Sequence, residues 1–485
     1  MNYRMIFNMV GKVLKVEGIL LILPTIVAAL YAEQCAFALG GTAVGVFIMG
    51  FLLAKFLKPK SQLFFAKEGL VTVALAWIFV SLFGAVPFVI SGEIPSFVDA
   101  LFETVSGFTT TGASIIPNVE VISHGLNFWR CFTHWIGGMG VIVFVLAFSE
   151  RAQDRSMYIL RAEMPGPIIG KLVPRARDTA VILYLIYIVL TVFLFVMLLC
   201  GGMSVYESAC HALGTAGTGG FGIKADSCGS YNAYLQWVLG VFMILFGINF
   251  NLYYLLLVRK FKSVFKSSEL WTYIAIVVIF TGLISYNISG IYTNLPDAVR
   301  TAFFQVSSII TTTGFSSANF DLWPALSKGL LLIVMFTGGC AGSTAGGFKI
   351  SRIVIVFKKI VNDLKTTLHP RTKTVLKFEG KRLDDETVNS VCSYSIIYIF
   401  TFAVIFILLC FDSNVPQSIA FESNFTAAAA CFNNVGPAFG FAGPASSYTG
   451  YSAFSKVVLM FAMLLGRLEI YPMLLSFTPT TWLKK

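Results

Sequence analysis

The sequence predicts an all-α integral membrane protein with ten transmembrane helices and four re-entrant segments between them. Three observations lead to this fold class. Hydrophobic residues make up 56% of the 485 positions, charged residues make up only 12%, and apolar stretches of spanning length recur along the whole chain. Soluble proteins carry about 25% charged residues, so this chain has too few polar side chains to cover a water-facing surface. The composition therefore excludes soluble enzymes, nucleic-acid binders and disordered chains.

The ten predicted spans are apolar stretches of about 20 residues or more, which is the length that a bilayer core requires. They lie near 5–31, 38–57, 68–92, 126–149, 179–201, 232–258, 269–291, 325–359, 387–411 and 451–479. The first span lacks a convincing cleavage site, so we interpret it as a retained helix and not as a signal peptide.

Basic residues predict the orientation of these spans. Most of the 35 Lys and Arg residues lie at the two chain ends and in the loops that follow the second, fourth, sixth and eighth spans. Basic loops face the cytoplasm, so both termini are expected on that side. The net charge of +11 is therefore explained first by the orientation of the protein in the membrane. Contact with membrane lipid is a secondary role of these loops, and no nucleic-acid partner is expected.

Motifs for catalysis and for thiolate chemistry do not stand out in the sequence. The nine cysteines form no CxxC or CxxH pair, and no Ser/His/Asp arrangement is evident. The two largest loops predicted on the cytoplasmic side, 150–178 and 360–386, are too short for a catalytic domain. We therefore expect no enzymatic activity and no organic cofactor. For His134, in the outer half of a span, core packing is favoured over proton coupling.

Four further apolar segments are too short or too broken to span a membrane. They lie near 95–118, 204–226, 296–321 and 415–445, each between two spans on the predicted outer side. Each ends in a stretch rich in Gly, Thr or Asn. Irregular backbone is tolerated at membrane depth only where it lines a wet cavity. The pattern predicts a half-helix that enters the membrane and an extended loop that returns.

The four segments align on one glycine each, at Gly112, Gly220, Gly314 and Gly436. The sequences around these glycines are TTTGAS, GTGGFG, TTTGFS and NNVGPA. Two TTTG sequences in register with two weaker copies argue against an ordinary Thr/Gly turn. The neighbouring Gly219 leaves the register of the second loop open by one residue. The predicted fold therefore has four pseudo-symmetric repeats of pore helix and filter loop around one pore.

Such an arrangement has the physics of a cation filter. Backbone carbonyls replace the hydration shell of an ion, and the C-terminal ends of half-helices carry partial negative charge. Asp99 and Glu207 suit the positive N-terminal ends of their half-helices. Glu103, Glu207 and Glu422 are candidate ion ligands, but structural caps or loop anchors are the favoured interpretation for them.

Two other motifs have more than one interpretation. The 338–349 stretch reads GGCAGSTAGGFK, and it lacks the GxxxxGK[ST] spacing of a phosphate-binding loop. Close helix packing through small residues is one interpretation. Arg467 lies deep in the last span, where an ionisable residue indicates a function by default. A structural pair with a nearby carboxylate is the alternative for Arg467.

With these loops and helices, the chain resembles the TrkH-type subunits of the bacterial Trk/Ktr/HKT superfamily of potassium transporters. The resemblance covers nearly the whole chain, and the two leading helices match the TrkH branch. It implies that the four aligned glycines are filter glycines, which favours K⁺ as the transported ion. It also implies that the ion-contacting residues are Thr110, Thr111, Thr218, Gly219, Thr312, Thr313, Asn434 and Val435.

The resemblance further implies a gate and a division of the chain. The 338–349 stretch would be an intramembrane gate loop below the filter, and Arg467 would lie in the pore beside it. The glycines of this gate would be Gly338, Gly339, Gly342, Gly346 and Gly347. The expected units are 1–60 with two extra helices, 61–150 with repeat one, 151–260 with a cytoplasmic loop and repeat two, 261–360 with repeat three and the gate loop, and 361–485 with a cytoplasmic loop and repeat four.

The resemblance also implies partners and a location. A homodimer in the bacterial inner membrane is expected, controlled by a cytosolic TrkA-type nucleotide-binding subunit that docks on the basic loops 150–178 and 360–386. An ion-coupled secondary transporter, driven by sodium or protons, is the alternative function, and a receptor or scaffold is a third. Secondary transporters often have inverted repeats, whereas the four repeats here share one orientation, which favours the pore.

Overall fold

The computed structural model describes residues 2–58, 66–140, 176–371 and 375–482, and its secondary structure is almost entirely helical. The helices are α1 (Tyr3–Leu20), α2 (Ile22–Leu30), α3 (Cys35–Phe56), α4 (Ala66–Ser91), α5 (Phe97–Phe108), α6 (His124–Gly138), α7 (Ala176–Cys200), α8 (Val205–Gly217), α9 (Ala233–Phe246), α10 (Phe250–Leu257), α11 (Phe261–Phe265), α12 (Ser268–Ile288), α13 (Leu295–Ile310), α14 (Ala325–Thr337), α15 (Ile350–Leu368), α16 (Asp385–Leu409), α17 (Ala420–Phe432), α18 (Ala453–Arg467), α19 (Tyr471–Phe477) and α20 (Pro479–Trp482). Strands β1 (Lys377–Phe378) and β2 (Lys381–Arg382) form a short antiparallel hairpin.

Six helical segments of the described chain are long and apolar enough to cross a membrane. They correspond to the first, second, third, fifth, seventh and ninth predicted spans: Tyr3–Leu30, Cys35–Phe56, Lys67–Ser91, Asp178–Cys200, Ser268–Ile288 and Asp385–Leu409. The prediction of a multi-span, all-α membrane protein is therefore confirmed. The other four predicted spans are interrupted or only partly described.

The predicted span 232–258 is wrong as a continuous helix. Helices α9 and α10 meet at a bend of 89°. Gly247 ends α9, and the Asn249 side chain caps α10 by accepting the N–H of Asn251 at 2.9 Å. A β-carbon on Gly247 would collide with the Tyr273 hydroxyl, so this sharp turn fits only a residue without a side chain.

The predicted spans 325–359 and 451–479 are also broken. The first is interrupted by twelve residues without helix, 338–349, between α14 and α15. The second is interrupted between α18 and α19, where Glu469 and Ile470 adopt φ values of 60° and 63°. The predicted span 126–149 is described only to residue 140. Of the predicted basic loop 150–178, residues 150–175 lie outside the described residues.

The two leading helices are attached closely to the rest of the protein. Helices α1 and α3 approach at glycines, because a β-carbon on Gly11, Gly18 or Gly50 would come closer than 3.0 Å to the facing helix. In the turn before α3, Glu33 accepts the N–H groups of His124 and Gly125 at the start of α6. Partial burial acts to raise the pKa of Glu33, but these hydrogen bonds outweigh it and leave the pKa below its ordinary value.

Glu17 on α1 is a buried acid for which no hydrogen-bond partner lies within the described residues. Only 3% of it is exposed, both carboxyl oxygens lack a partner, and its position faces Gly84 of α4. An unsatisfied buried polar group costs about 1–3 kcal/mol. We therefore expect Glu17→Leu to raise the thermal unfolding midpoint in detergent, whereas Glu386→Leu, at an exposed carboxylate, should not. A lower midpoint for Glu17→Leu than for the parent would contradict this.

Candidate functional site

The four half-helices α5, α8, α13 and α17 end in the same backbone turn. Two residues before each aligned glycine, φ lies between 54° and 56° (Thr110, Thr218, Thr312 and Asn434). The N–H of the next residue bonds the carbonyl five positions earlier at 2.8–2.9 Å (Thr111 to Ser106, Gly219 to Gly214, Thr313 to Ser308 and Val435 to Ala430). This pattern is a Schellman turn, in which the left-handed residue is usually glycine.

Threonine occupies the left-handed position in three of these four turns. A left-handed conformation is a genuine outlier for a β-branched residue, and it persists only where the surroundings impose it. Hydroxyl pairs contribute here, since Thr109 contacts Thr111 at 2.8 Å and Thr311 contacts Thr313 at 2.7 Å. Backbone strain of this kind concentrates at functional sites, so these turns form the candidate functional site.

The aligned glycines bring the four loops into a closed ring. Their φ values are all positive, from 78° to 96°. A β-carbon on each would lie closer than 3.0 Å to a carbonyl oxygen of the next loop: Gly112 to Gly219, Gly220 to Thr313, Gly314 to Val435, and Gly436 to Thr111. The contacts run from loop one to two, three, four and back to one. The loops therefore surround a common axis, and each glycine leaves room for the neighbouring carbonyl.

The structure also decides the register of the second loop. Gly220, and not Gly219, has the positive φ and the carbonyl contact of an aligned glycine. Gly219 occupies the position of Thr111 instead, and a β-carbon there would collide with the ring of His134. Glycine is therefore required at the two neighbouring positions for different reasons, contact with His134 at Gly219 and contact with the Thr313 carbonyl at Gly220.

A small cavity of about 110 Å³ opens on one side of the ring. It is lined by all four aligned glycines and by polar residues of the ascending loops, including Ser114 and Ser316. The half-helix carboxyl ends lie around this axis, so their partial negative charges converge on it. A site with this charge and these carbonyl oxygens suits a cation.

Glu103 anchors the first loop. It is 1% exposed and pairs with Arg130 of α6 at 2.7 Å. The same carboxylate accepts the Ser114 hydroxyl at 2.9 Å and the Ile115 N–H at 2.9 Å. All of these bonds hold the ascending part of the loop against its half-helix. The structure thus places Glu103 as a loop anchor and not as a ligand on the axis.

His134 links the first two loops. Its Nδ1 lies 2.7 Å from the Gly107 carbonyl, and its Nε2 accepts the N–H of Phe221 at 3.2 Å. With both ring nitrogens bonded to backbone, the imidazole is neutral, with its proton on Nδ1. This arrangement corresponds to the packing role expected for His134.

Acidic residues occupy the first turn of every half-helix, where they complement the positive helix end. Each lies near a basic side chain: Asp99 with Lys456 at 2.6 Å, Glu207 with Lys224 at 3.7 Å, Asp297 with Arg300 at 2.8 Å, and Glu422 with Lys328 at 2.6 Å. Glu207 also forms a capping box with Ser204. These acids are therefore helix-end anchors away from the ring axis.

The glycine-rich loop 338–349 lies against the ring on the side opposite to the cavity. The N–H of Gly346 donates to the Thr312 hydroxyl at 2.6 Å, and a β-carbon on Gly346 would come within 2.6 Å of the Asn433 carbonyl. Positive φ values at Gly338, Gly342 and Gly347 exclude a continuous helix here. Lys349 closes the loop, is buried, and donates to the Ala345 carbonyl.

Arg467 joins this loop to the ring. It donates to the Thr344 carbonyl at 2.8 Å and to the Thr110 hydroxyl at 3.3 Å. It also donates to the carbonyls of Gly137 and Gly138 at 2.6 Å each. Glu469, the acidic residue nearest to Arg467 in the sequence, pairs instead with Arg352 at 2.6 Å. A guanidinium charge therefore lies directly next to the left-handed threonine of the first loop.

Sequence reasoning missed several residues of this site. Arg130 is an isolated charge in a predicted apolar span, and such a position could have indicated a buried partner. Asp297 shares the first-turn position of the other three acids. The contact of Gly346 with the ring joins distant parts of the chain, and no local signal predicts it.

A closed ring of re-entrant loops within a multi-span helical protein defines the class of membrane cation-transport proteins. The family model TrkH, described as "Cation transport protein", matches residues 41–483. The chain belongs to this TrkH family. It is a family of transport proteins and not of enzymes.

Similar proteins cover the whole chain. The chain is 32% identical to the Trk system potassium uptake protein TrkH of Escherichia coli strain K12, over 99% of this chain and 100% of that protein. It is 31% identical to the protein of the same name from Halomonas elongata, over 100% of both. The crystal structure of the potassium transporter TrkH from Vibrio parahaemolyticus superposes with a TM-score of 0.89 at 30% identity, again over 100% of both chains.

Proposed function

We propose that the protein takes up potassium ions across the bacterial inner membrane as the ion-conducting subunit of a Trk-type system. The observation that carries this proposal is the closed ring of four loops, each with a glycine against the carbonyl of the next. The names of the relatives, which describe potassium uptake, support the choice of ion.

The selectivity filter in this proposal is the ring itself. Carbonyl oxygens at the end of each half-helix would replace the water shell of K⁺. The filter residues are Thr110, Thr111 and Gly112 in loop one, Thr218, Gly219 and Gly220 in loop two, Thr312, Thr313 and Gly314 in loop three, and Asn434, Val435 and Gly436 in loop four. Their identical turns support this assignment, because equal geometry in four loops gives equal distances from an ion on the axis.

The gate in this proposal is the 338–349 loop with Arg467. The loop contacts the ring at Thr312, and Arg467 contacts both the loop and Thr110. A cation that leaves the ring on this side would meet the glycine-rich backbone and a positive charge. Opening requires the loop to withdraw, and five glycines, Gly338, Gly339, Gly342, Gly346 and Gly347, permit the backbone changes.

The orientation and the partners follow the same proposal. The cavity side of the ring faces outward, and the basic side, with both termini, faces the cytoplasm. The protein works as a homodimer with a soluble TrkA-type nucleotide-binding subunit. The ring supports this pore over a sodium- or proton-coupled secondary transporter, because it surrounds one axis with four repeats of one orientation.

Rubidium or potassium uptake tests this function. The protein would be expressed in bacteria that lack their own potassium uptake systems. We expect growth at low potassium and uptake of the rubidium tracer. Absence of both, with the protein present in the membrane, would contradict the proposal.

Docking of the soluble subunit gives a further prediction. Neutralising four exposed basic residues of the 358–382 region, Lys365, Arg371, Lys381 and Arg382, should weaken binding at low salt by about tenfold or more. The matched control neutralises Arg259, Lys260, Lys262 and Lys266, which form another exposed basic cluster. Surface plasmon resonance with the purified TrkA-type subunit measures both variants. Equal losses of affinity in the two variants would contradict a specific docking surface.

A further inference from the structure

The β1–β2 hairpin carries an acid at its tip. Glu379 and Gly380 form the two-residue turn, with φ values of 49° and 74°. Positive φ at both positions is characteristic of a type I′ turn, which holds two short strands in register. The turn therefore presents the Glu379 side chain from a defined backbone.

Glu379 caps the first turn of α12. Its Oε1 accepts the hydroxyls of Ser267 and Ser268 at 3.2 and 3.0 Å, and the N–H of Glu269 at 2.9 Å. A carboxylate at a helix N-terminus is stabilised by the free N–H groups and by the helix dipole. Within the helix, the Ser267 side chain caps the N–H of Leu270. The hairpin adds a second cap from outside the helix, on the N–H of Glu269.

Glu269, the second residue of α12, holds the glycine-rich loop with its side chain. Glu269 is 5% exposed, and its Oε1 accepts the N–H of Ala341 at 2.7 Å. Ala341 is the fourth residue of the 338–349 loop. One residue of α12 therefore receives the hairpin on its backbone N–H and holds the loop with its side chain.

The hairpin is also attached to the helix that follows the loop. Lys358 of α15 donates to the Lys377 carbonyl at 3.0 Å. Phe378 is buried, in one apolar cluster with Ile355 of α15 and Val391 of α16. A movement of the hairpin would therefore act on the loop from two sides, through α12 and through α15.

We propose that the β1–β2 hairpin transmits the docking of a soluble protein to the 338–349 loop, through Glu379, the first turn of α12, Glu269 and Ala341. The partner that fits presents an acidic surface, because Lys377, Lys381 and Arg382 surround the hairpin and are exposed. Docking draws Glu379 away from α12, Glu269 loses its fixed position, and the loop is released from the ring. This inference rests on the proposed gate.

Glu379→Ala tests this pathway in the complete protein. The side chain is exposed, so the variant should fold. We expect rubidium flux without any partner to rise roughly fivefold, the factor that corresponds to the loss of one helix cap. Hydrogen exchange of the 338–349 segment, measured by mass spectrometry, should become faster in parallel. Glu379→Gln keeps an acceptor oxygen and should retain most of the parent behaviour.

The matched control is Asp385→Ala, which removes an exposed carboxylate from the same region without touching α12. It should change neither flux nor exchange. In the presence of the purified TrkA-type subunit, Glu379→Ala should keep its binding but lose most of the flux response. If Glu379→Ala leaves loop exchange at the parent rate, the pathway is overturned, whatever its flux.

The failure of this pathway is distinguishable from the failure of the gate. If Arg467→Ala raises flux while Glu379→Ala changes neither flux nor exchange, the gate stands and the pathway does not. If Arg467→Ala and a deletion of 342–347 both leave flux unchanged, the gate proposal fails, and the exchange measurement still decides whether the hairpin controls the loop.

Discussion

Arg467→Ala is expected to raise basal rubidium flux by at least about tenfold at matched protein amounts. A unit charge roughly 5 Å from a passing cation imposes about 3 kcal/mol at an effective dielectric of about 20. Removal of Arg467 lifts this barrier and also frees the carbonyls of Gly137, Gly138 and Thr344. These oxygens would then face the cation.

Two comparisons separate charge from structure at Arg467. Arg467→Lys keeps the positive charge, although lysine cannot form the same set of planar contacts. Because the charge forms the barrier, the flux of this variant should remain near that of the parent. Deletion of 342–347 should raise flux and weaken control by the soluble subunit, because it removes the contact of Gly346 with Thr312. If the folded Ala variant and the deletion both keep parent flux and regulation, the arginine and the loop are structural elements only.

Gly112→Ser is expected to abolish most of the preference for potassium over sodium. Its β-carbon would lie closer than 3.0 Å to the Gly219 carbonyl of the next loop. That carbonyl must therefore turn or shift, and a filter depends on the alignment of such oxygens. The positive φ of 78° adds a conformational cost for any side chain.

Gly92→Ser is the matched control for this substitution. Gly92 has the same φ of 78°, but a β-carbon there would meet no atom within 4 Å. It should therefore lose a little stability and keep its ion preference. Tracer competition by sodium and potassium in proteoliposomes measures both variants. A Gly112→Ser variant that retains the parent preference would argue against a filter at the ring.

The sequence predicts the repeated parts of this molecule well, because those parts are local. A short apolar half-helix followed by a stretch rich in Gly, Thr or Asn marks each re-entrant segment locally, whereas the left-handed threonines depend on their surroundings. Long apolar stretches such as 387–411 likewise predict their helices to within a few residues, because the bilayer requirement acts on each helix separately.

Breaks within apolar stretches are harder to predict. Gly247 and Asn249 do contain the signal for the bend between α9 and α10, since glycine ends helices and asparagine caps them. Apolar residues on both sides hide that signal in a hydropathy pattern. At Glu469 and Ile470 the backbone has positive φ although neither residue is glycine. The ion pair of Glu469 with the distant Arg352 supports this conformation, and no local sequence signal predicts it.

The order of the loops and the partners of Arg467 lie beyond local sequence. Gly112 contacts Gly219, which is distant in the chain, and Arg467 bonds residues of three separate segments. The sequence alone leaves the register of the second loop open by one residue, because Gly219 and Gly220 are both glycine. Three-dimensional contact with His134 on one side and Thr313 on the other distinguishes them.

Competition of cations for tracer uptake tests the central claim most directly. The purified protein would be reconstituted in liposomes, and rubidium uptake would be measured with excess external potassium or sodium. A ring of four carbonyl-lined loops predicts strong inhibition by potassium and little inhibition by sodium. Equal inhibition by the two ions would contradict the assignment of this ring as a potassium filter.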